Sequence, residues 1–456
     1  MKNKTWWVTI LIAVSFLSAA LSFFVIYDLS VKNEFRFPSL TGDSNHYRIL
    51  AENLISKQAF DRFPDSYSPE DFRTPGYPLF LALLFLITGS WVFSAFLQSL
   101  IMASIPILTY FLGEKIFNAR VGLVAGFIVA LDPLRHFFSS LTLSDAPFTA
   151  LLLAVFVLFF YAIHDSVNPG RKMFMAGLVL GFAVLVRPIG QFLPIFFILF
   201  WFVQKRWEIR LNLKPAIIFL AGFLIVVGAW SIRNQVTFGT WEIASVSNYN
   251  IAYYAELFEQ ERTGVSLNEQ QEKLASELGY SDREVMRSMK ANDINIRYAK
   301  DVLFAHPFEY TYYHLVKTIP FFLNDGLRDT ARLLGLNDEP LPNFTGFLLD
   351  GEFKKFFQTL GVGGVNATLL IMGSGFMFIF LILAGYGALV GFKNRESRLA
   401  VIFFVGIIFY FALVTGPVST ARYRLPVMPF ITILAVSGFI SAFHKIRSRS
   451  GIAHLK

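Results

Sequence analysis

The chain contains no cysteine. It therefore cannot form a disulfide framework, bind a metal through thiolates or use a cysteine nucleophile. Charged residues are also scarce, at 16% of 456 residues, whereas a soluble domain carries about a quarter. Hydrophobic residues instead make up 55% of the chain, with 52 phenylalanines and a mean hydropathy of +0.53. This composition excludes a disordered chain, a soluble two-domain enzyme and a disulfide-stapled secreted module.

Long apolar runs indicate an all-α multi-pass membrane protein, because a crossing helix needs about 20 mostly apolar residues. One run is too long for a single crossing and is interrupted by Arg187-Pro188, where proline disfavours helix. We therefore predict a hairpin there and about ten crossings in all. The first run follows Lys2 and Lys4 and exceeds a usual signal-peptide core, so we expect an uncleaved anchor. The runs are residues 6–27, 91–112, 121–141, 146–163, 173–203, 215–232, 365–392, 399–414 and 425–443.

The basic residues predict the orientation, since Lys and Arg concentrate on cytoplasmic loops. If both termini are cytoplasmic, the inner segments carry 17 basic and only four acidic residues, although the whole chain has a net charge of only +8. We thus expect a multi-pass protein of the plasma (cytoplasmic) membrane. The basic excess is spread thinly over many loops rather than gathered in one patch, which argues against nucleic acid as a partner.

This topology divides the chain into three parts. Residues 1–232 form an N-terminal transmembrane module that includes a first outer loop, 28–90. Residues 233–364 form a mainly helical extracytoplasmic segment, and residues 365–456 form the last transmembrane helices and a cytoplasmic tail. Residues 73–87 and 308–323 are too short or too polar to cross, so we predict helices in the membrane interface. Two Ser-x-x-Glu motifs, at Ser266 and Ser281, predict helix starts.

Ionisable residues are rare in membrane segments and tend to be functional there. In the predicted topology they avoid the bilayer centre and gather near its outer side. We therefore predict a polar site that opens outward at the membrane surface. Its candidate members are Asp132, Arg135, His136, Asp145, Arg187, Arg233, Arg422 and Arg424.

Asp43 is the most informative acidic residue of the first outer loop. Positions 43, 47, 50, 51 and 54 share one face of a predicted helix, so Asp43 heads its apolar side. Two roles are open at this point. Asp43 could be a helix N-cap, because aspartate is favoured there, or a functional carboxylate.

Six motifs lie in order along nearly the whole chain. The first joins Asp43-x-x-x-Tyr47-x-x-x-Ala51 to the run Arg73-Thr-Pro-Gly-Tyr77. The others cover residues 141–148 with Asp145, 181–188 with Arg187, 230–234 with Arg233, 306–310, and 422–430 with Arg422 and Arg424. Together they resemble GT-C fold glycosyltransferases, in particular the family-39-like group of protein O-mannosyltransferases and lipid A aminoarabinose transferases.

The resemblance implies transfer of a sugar from a polyprenyl-phosphate-linked donor to an acceptor hydroxyl on the extracytoplasmic face, with inversion. It implies Asp43 as general base, with Asp145 orienting the acceptor or supporting Asp43. Tyr47, Arg73 and Tyr77 of the first loop would bind substrate. Guanidinium groups pair bidentately with phosphate, so the carrier phosphate would contact Arg187, Arg233, Arg422 and Arg424. The acceptor is an envelope lipid, a glycan or a protein.

The sequence departs from the family pattern at Ser44, where many relatives carry a second acid beside the first-loop aspartate. No cofactor is therefore predicted with certainty, and a divalent metal stays open. Two other functions are also open. A multi-pass transporter or flippase of a lipid-linked or envelope substrate would place its site near the bilayer midplane, often on broken helices such as the one at Arg187-Pro188. A non-catalytic scaffold would use Asp43 only as a cap.

Overall fold

A computed structural model describes residues 2–32, 37–63, 68–164, 168–335 and 364–449, together with positions 352, 354, 355 and 358. In this part of the chain nearly every element is a helix, and the only strand-like pairing is an isolated bridge between Asp61 and Pro69. The predicted all-α multi-pass membrane architecture is confirmed. The end of the predicted segment 233–364, from residue 336 to 363, lies largely outside the described residues, and the three-part division stays a prediction.

The described residues contain twenty α-helices. They are α1 (Lys2–Lys32), α2 (Gly42–Lys57), α3 (Gly76–Thr88), α4 (Trp91–Ile101), α5 (Ser104–Ile116), α6 (Ala119–Ala130), α7 (Pro133–Ser140), α8 (Asp145–His164), α9 (Pro169–Val186), α10 (Leu193–Gln204), α11 (Ile209–Phe238), α12 (Val246–Thr263), α13 (Leu267–Glu277), α14 (Asn292–Ala305), α15 (Pro307–Leu323), α16 (Leu327–Leu333), α17 (Gly364–Lys393), α18 (Arg398–Thr415), α19 (Ala421–Arg424) and α20 (Met428–Arg449).

Eight spans in the described residues are long and apolar enough to cross a membrane, and a ninth is the bent pair α6 and α7. The tenth predicted crossing corresponds to α10, which is shorter than the others at 12 residues. Its direction follows from its neighbours. Gly177 of α9 packs on Phe219 and Phe223 of α11, and Gly181 packs further along, on Phe223 and Val226. Because α9 and α11 thus run parallel, the chain must return between them, and α10 makes that return.

The predicted crossing 121–141 is broken rather than continuous. Asp132 caps α7, its side chain accepting from the Leu134 amide at 2.9 Å, and the two halves meet at 56°. Arg135 is 1% exposed and donates to the carbonyls of Val129 at 2.8 Å and Ala130 at 3.1 Å, while a ring nitrogen of His136 lies 2.7 Å from the Ala130 oxygen. These groups satisfy the orphan carbonyls at the end of α6. Asp132, Arg135 and His136 are therefore structural and do not line the candidate site.

Helices α12 to α16 form a helical insert between the transmembrane parts, which we define as residues 239–335. The first predicted capping box is present, since the side chain of Ser266 accepts from the Glu269 amide and the Glu269 side chain accepts from the Ser266 amide. The second prediction is wrong. Asp282, not Ser281, accepts the Glu284 amide at 2.9 Å, and a short 3₁₀ helix (Arg283–Arg287) follows it. Helices α3 and α15 occupy the two segments predicted to lie in the interface.

Candidate active site

The start of α2 excludes one of the two roles left open for Asp43, that of helix N-cap. Thr41 is the N-cap residue, because its hydroxyl accepts from the Ser44 amide at 3.2 Å. Asp43 lies in the first turn, and neither of its carboxylate oxygens caps the helix. The predicted apolar face of α2 is buried, with Tyr47, Leu50 and Ala51 each at most 5% exposed. Thr41 therefore does the capping, and the carboxylate of Asp43 is free for side-chain partners.

Those partners are two arginines from distant parts of the chain. Arg73, at the end of the first loop, donates to Oδ1 of Asp43 at 2.5 Å. Arg422 of α19 donates to Oδ2 at 3.0 Å. The Asp43 side chain is still about one-third exposed. The first loop and the last transmembrane segment thus meet at one carboxylate that remains open to solvent.

Asp145, the first residue of α8, is a second carboxylate in contact with Arg422. It is 0% exposed, and its two oxygens accept from Arg187 and, at 3.0 Å, from Nε of Arg422. The interruption at Arg187-Pro188 ends α9 and turns Arg187 toward Asp145. Arg422 therefore bridges Asp43 and Asp145. We define these five side chains, Asp43, Arg73, Asp145, Arg187 and Arg422, as the carboxylate–arginine cluster.

The charges of this cluster control the protonation of Asp43. Burial alone would raise the pKa of the Asp43 carboxyl, but the positive charges of Arg73, Arg422 and Arg187, with the hydrogen bond from Arg422, outweigh burial. The pKa of Asp43 is therefore held well below its ordinary value. In this structure Asp43 is an ionised carboxylate whose lone pairs are largely engaged by guanidinium groups.

A cavity of about 1450 Å³ opens over the cluster. From the cluster, Asp43, Arg73, Arg187 and Arg422 line it, and Tyr47 and Tyr423 add aromatic surface. Apolar residues of α11, of α18 and of the turn before α10 line another part, among them Val227, Leu413 and Phe192. The helical insert supplies the remaining wall. The cavity therefore combines a charged floor with an apolar wall next to the transmembrane helices.

Aromatic contacts hold the first loop against this floor. The Tyr47 hydroxyl lies 3.1 Å from that of Ser144, directly before Asp145. The ring of Tyr47 packs edge-to-face on Tyr77 at 4.8 Å, and its face is 5.1 Å from the Arg73 guanidinium. Tyr77 is fully buried, donates to Gln98 at 2.9 Å and does not line the cavity. Tyr47 thus lines the cavity, Tyr77 packs behind it, and a substrate contact of either residue stays a prediction.

Two of the predicted phosphate ligands lie elsewhere. Arg424 is 1% exposed and donates to the main-chain oxygens of Phe321 at 2.6 Å and Asn324 at 2.7 Å. Arg233 donates to the Glu70 carbonyl at 3.0 Å and lies 4.7 Å from the ring of Trp230. Neither lines the cavity. Both guanidinium groups anchor chain segments, so the structure does not bring them to the cluster.

An acidic pair that the sequence analysis missed ties the first loop to the insert. Glu70 accepts from the amides of Phe72 at 2.9 Å and Arg73 at 2.6 Å, and from Arg62 at 3.2 Å. Asp71 accepts from the Met289 amide at 2.8 Å. The signal in the sequence is that Glu70-Asp71 directly precedes the Arg73 motif. This pair fixes the backbone that presents Arg73 to Asp43.

The pKa of Glu70 reflects these partners. Burial alone would raise it, but the hydrogen bond and charge of His46, the charge of Arg62 and the Arg73 amide lower the pKa from 4.5 to about 2. Glu70 is therefore ionised at neutral pH, which keeps its contacts to Arg62 and to the two backbone amides intact.

Comparison with known proteins identifies the fold. A family model described as dolichyl-phosphate-mannose-protein mannosyltransferase matches residues 72–232, which include Arg73, Asp145 and Arg187. The oligosaccharyltransferase AglB of Archaeoglobus fulgidus, solved with an inhibitory peptide and a dolichol-phosphate, matches with a TM-score of 0.55 and 16% identity. The match covers 99% of this chain and 52% of AglB. The chain has the GT-C fold.

Two further structures complete the comparison. The apo form of the A. fulgidus oligosaccharyltransferase matches with a TM-score of 0.53 and 16% identity, over 97% of this chain and 52% of that protein. ArnT from Cupriavidus metallidurans, bound to undecaprenyl phosphate, matches with a TM-score of 0.40 and 13% identity, over 94% and 78% of the two chains. No curated protein matches the chain. This GT-C chain thus spans about half the length of the oligosaccharyltransferase that it resembles, and the fold predicted from the motifs is confirmed.

The sequence left a divalent metal open. The described residues of this GT-C structure offer no set of side chains that could bind one. Among the described residues, no group of three His, Asp or Glu side chains is placed to hold a metal ion. Between the two acids of the cluster lies the guanidinium group of Arg422, which hydrogen-bonds to both. The described residues of the cluster therefore do not fit a metal ion.

Proposed function

We propose that this protein is a membrane glycosyltransferase that moves a sugar from a polyprenyl-phosphate carrier to an acceptor hydroxyl. The observation that carries the proposal is the bridge of Arg422 between Asp43 and Asp145 on the floor of a large cavity. It puts an open carboxylate beside guanidinium groups, and these are the two chemistries that sugar transfer from a phosphate needs. The GT-C fold and the mannosyltransferase family match support it.

The charge of the cluster suits a monophosphate carrier. Three guanidinium groups face two carboxylates, so the cluster carries one net positive charge. A sugar linked through a phosphodiester carries one negative charge and balances it. A diphosphate-linked carrier would bring further negative charge that the cluster does not neutralise.

The charge of the cluster and the charge of the carrier phosphate stay balanced during the reaction. The acceptor hydroxyl transfers its proton to Asp43 while its oxygen attacks the anomeric carbon. The bond from that carbon to the phosphate oxygen breaks, and the phosphate leaves with the electron pair. The cluster gains one positive charge as Asp43 is protonated, and the carrier phosphate becomes a monoester with up to two negative charges. Attack opposite the leaving phosphate inverts the anomeric centre.

Donor binding also explains how Asp43 becomes a useful base. A general base works best when its pKa is near the working pH, whereas the pKa of Asp43 in this structure is held far lower by its arginines. A phosphate that takes guanidinium donors from Arg73 and Arg422 competes with Asp43 for them. The carboxylate is then released toward the acceptor, and its pKa rises. Asp145 acts as a positioning residue, because it is fully buried and holds Arg187 and Arg422 in place.

The remaining parts of the proposal concern orientation and partners. The cluster would face the extracytoplasmic side, with both termini in the cytoplasm, since that orientation puts the basic loops inside. The apolar wall formed by α11, α18 and the turn before α10 would receive the first units of the carrier lipid. The sugar is a hexose or a pentose, and the acceptor is an envelope molecule with a free hydroxyl.

The test is transfer by the purified protein in liposomes. Sugar-labelled polyprenyl phosphates, with hexose and pentose head groups in separate reactions, are supplied together with an envelope extract as acceptor. We expect labelled product and release of polyprenyl phosphate, with an inverted anomeric centre by NMR. Release without attachment to an acceptor, or retention of configuration, would contradict the mechanism. Flux of intact donor across the liposome without transfer would indicate a flippase.

A further inference from the structure

The wall of the cavity that belongs to the helical insert carries two arginines outside the carboxylate–arginine cluster. Arg283 and Arg287 lie at the two ends of the first of two 3₁₀ helices between α13 and α14, and both line the cavity. They play no part in the transfer step proposed above. Their position on the insert, rather than on the transmembrane helices, separates them from the proposed lipid-binding wall.

Arg283 differs from the other arginines of the cavity. The arginines that line it are Arg62, Arg73, Arg187, Arg283, Arg287 and Arg422. Five of these contact a carboxylate; the contact of Arg287 is with Glu284 at 3.3 Å. Arg283 is half-buried, and among the described residues it has no hydrogen bond or ion pair. The positive charge of Arg283 is therefore available to a ligand in the cavity.

This wall is held firmly in place. The hydroxyl of Ser245 donates to the Arg287 carbonyl at 2.6 Å, and the Ser245 amide donates to the Asp71 carbonyl at 2.9 Å. The Asp71 carboxylate accepts from the amide of Met289, two residues after the 3₁₀ helix that carries the arginines. The 3₁₀ helix that carries the two arginines is thus fixed to the first loop at Asp71, and Asp71 lies two residues before Arg73.

Aromatic rings connect the two arginine groups. The Arg287 guanidinium lies 6.0 Å from the ring of Phe72 and 5.7 Å from that of Tyr249. The Arg73 guanidinium lies 4.9 Å from the same Phe72 ring. Tyr249 and Tyr253 stack at 5.8 Å with an interplanar angle of 14°, and both line the cavity. Flat apolar faces and the unpaired cation of Arg283 therefore line the same cavity as the cluster that contains the proposed base.

We propose that Arg283, Arg287, Tyr249, Tyr253 and Phe72, which we call the acceptor ledge, bind an acidic saccharide acceptor. The sugar rings lie against the aromatic faces, and a phosphate or carboxylate of the acceptor pairs with Arg283. This inference rests on the proposed function, because it takes the ledge to orient the hydroxyl that Asp43 deprotonates. The charge of Arg283 then selects against neutral acceptors.

Binding of saccharide probes tests the ledge directly. The full-length protein in nanodiscs is titrated with a galacturonic acid trisaccharide and with its neutral methyl ester. A parallel pair uses phosphorylated and unmodified maltotriose, so that the two arms separate carboxylate from phosphate recognition. Each titration is done with and without undecaprenyl phosphate. The variants are Arg283→Gln, which removes no hydrogen bond or ion pair among the described residues, and the control Arg297→Gln, which removes an exposed arginine paired with Glu277 outside the cavity.

We expect the wild-type protein to bind at least one acidic probe about tenfold more tightly than its neutral counterpart, as one charge-assisted contact would give. Arg283→Gln should remove most of that preference, and Arg297→Gln should keep it. Equal binding of acidic and neutral probes, or an unchanged preference in Arg283→Gln, overturns the acceptor ledge. Failure of undecaprenyl phosphate to bind overturns the proposed function instead, while the probe preference is still measured in its absence.

Discussion

Replacement of Arg422 by lysine separates the positive charge of this residue from its geometry. Nε of Arg422 donates to Asp145 and Nη2 donates to Asp43, both at 3.0 Å. A lysine keeps the charge but has one compact ammonium group, which cannot reproduce the fork of a guanidinium. It can therefore keep one carboxylate contact and must lose the other. A hydrogen bond to a charged group contributes about 1.5–3 kcal/mol.

That loss predicts a fall in kcat/KM for the lipid-linked donor of roughly ten- to a hundredfold, because each 1.4 kcal/mol is a factor of ten. We expect KM to rise, since the donor phosphate loses a bidentate partner, and kcat to fall, since Asp43 loses its alignment. The assay is steady-state transfer in liposomes with labelled polyprenyl-phosphate sugar. Asp145 keeps Arg187 and Asp43 keeps Arg73, so the protein should still fold.

The neighbouring variant Arg424→Lys is the matched control. Arg424 donates only to main-chain oxygens and to the Met428 sulfur, outside the cavity. It should therefore lower the melting temperature while leaving the donor KM of the folded protein unchanged. If Arg422→Lys retains wild-type kcat and KM, or if Arg424→Lys shifts the donor KM equally, the bridge is not the element that binds the phosphate.

Three other predictions concern the fold, its pH dependence and its orientation. Gly177→Ala should destabilise the protein by about 1–3 kcal/mol through overpacking, because a Cβ there meets the Phe219 carbonyl. Gly228→Ala in the same helix pair has open space and should be tolerated. Melting temperatures in detergent distinguish the two variants. The folded-state pKa of Glu70, about 2, lies below its ordinary value of 4.5. The stability that ionised Glu70 gives the folded protein is therefore present above pH 4.5 and is lost as the pH falls from 4.5 toward 2. The melting temperature should fall over this pH range, and Glu70→Gln should make that fall smaller. Reporter fusions should place the connection between α10 and α11 in the cytoplasm and the helical insert outside, and the reverse pattern would contradict the proposed orientation.

Much of the membrane architecture could be predicted from the sequence, because the bilayer forces apolar length on every crossing helix. The amphipathic face of α2 with Tyr47 and Leu50, and the capping box at Ser266, were also predictable, since they depend on residues within one or two turns. The second capping motif failed for an equally local reason. Asp282 lies next to Ser281 and captured the free amide in its place.

The composition of the site could be predicted only in part. Arg187, Arg233, Arg422 and Arg424 all lie near helix ends, and nothing local separates them. Of these four, Arg187 and Arg422 contact carboxylates of the cluster, whereas Arg233 and Arg424 contact main-chain carbonyls. That difference depends on contacts between residues that lie up to several hundred positions apart in the sequence, such as the contact between Arg422 and Asp43. The Glu70-Asp71 pair was missed because its role depends on tertiary contacts. Some of its partners lie on the first loop and another, Met289, lies on the insert, far away in the sequence.

The most direct test of the account is Asp43→Asn, measured for transfer and for carrier binding in the same preparation. Asparagine keeps the size of the side chain and removes its capacity to accept a proton. We expect transfer to fall by about 10²–10⁴, the usual contribution of a general base. Binding of polyprenyl phosphate should be retained or become tighter, because Arg73 and Arg422 lose a competing carboxylate. Transfer at close to the wild-type rate in Asp43→Asn would contradict the central claim.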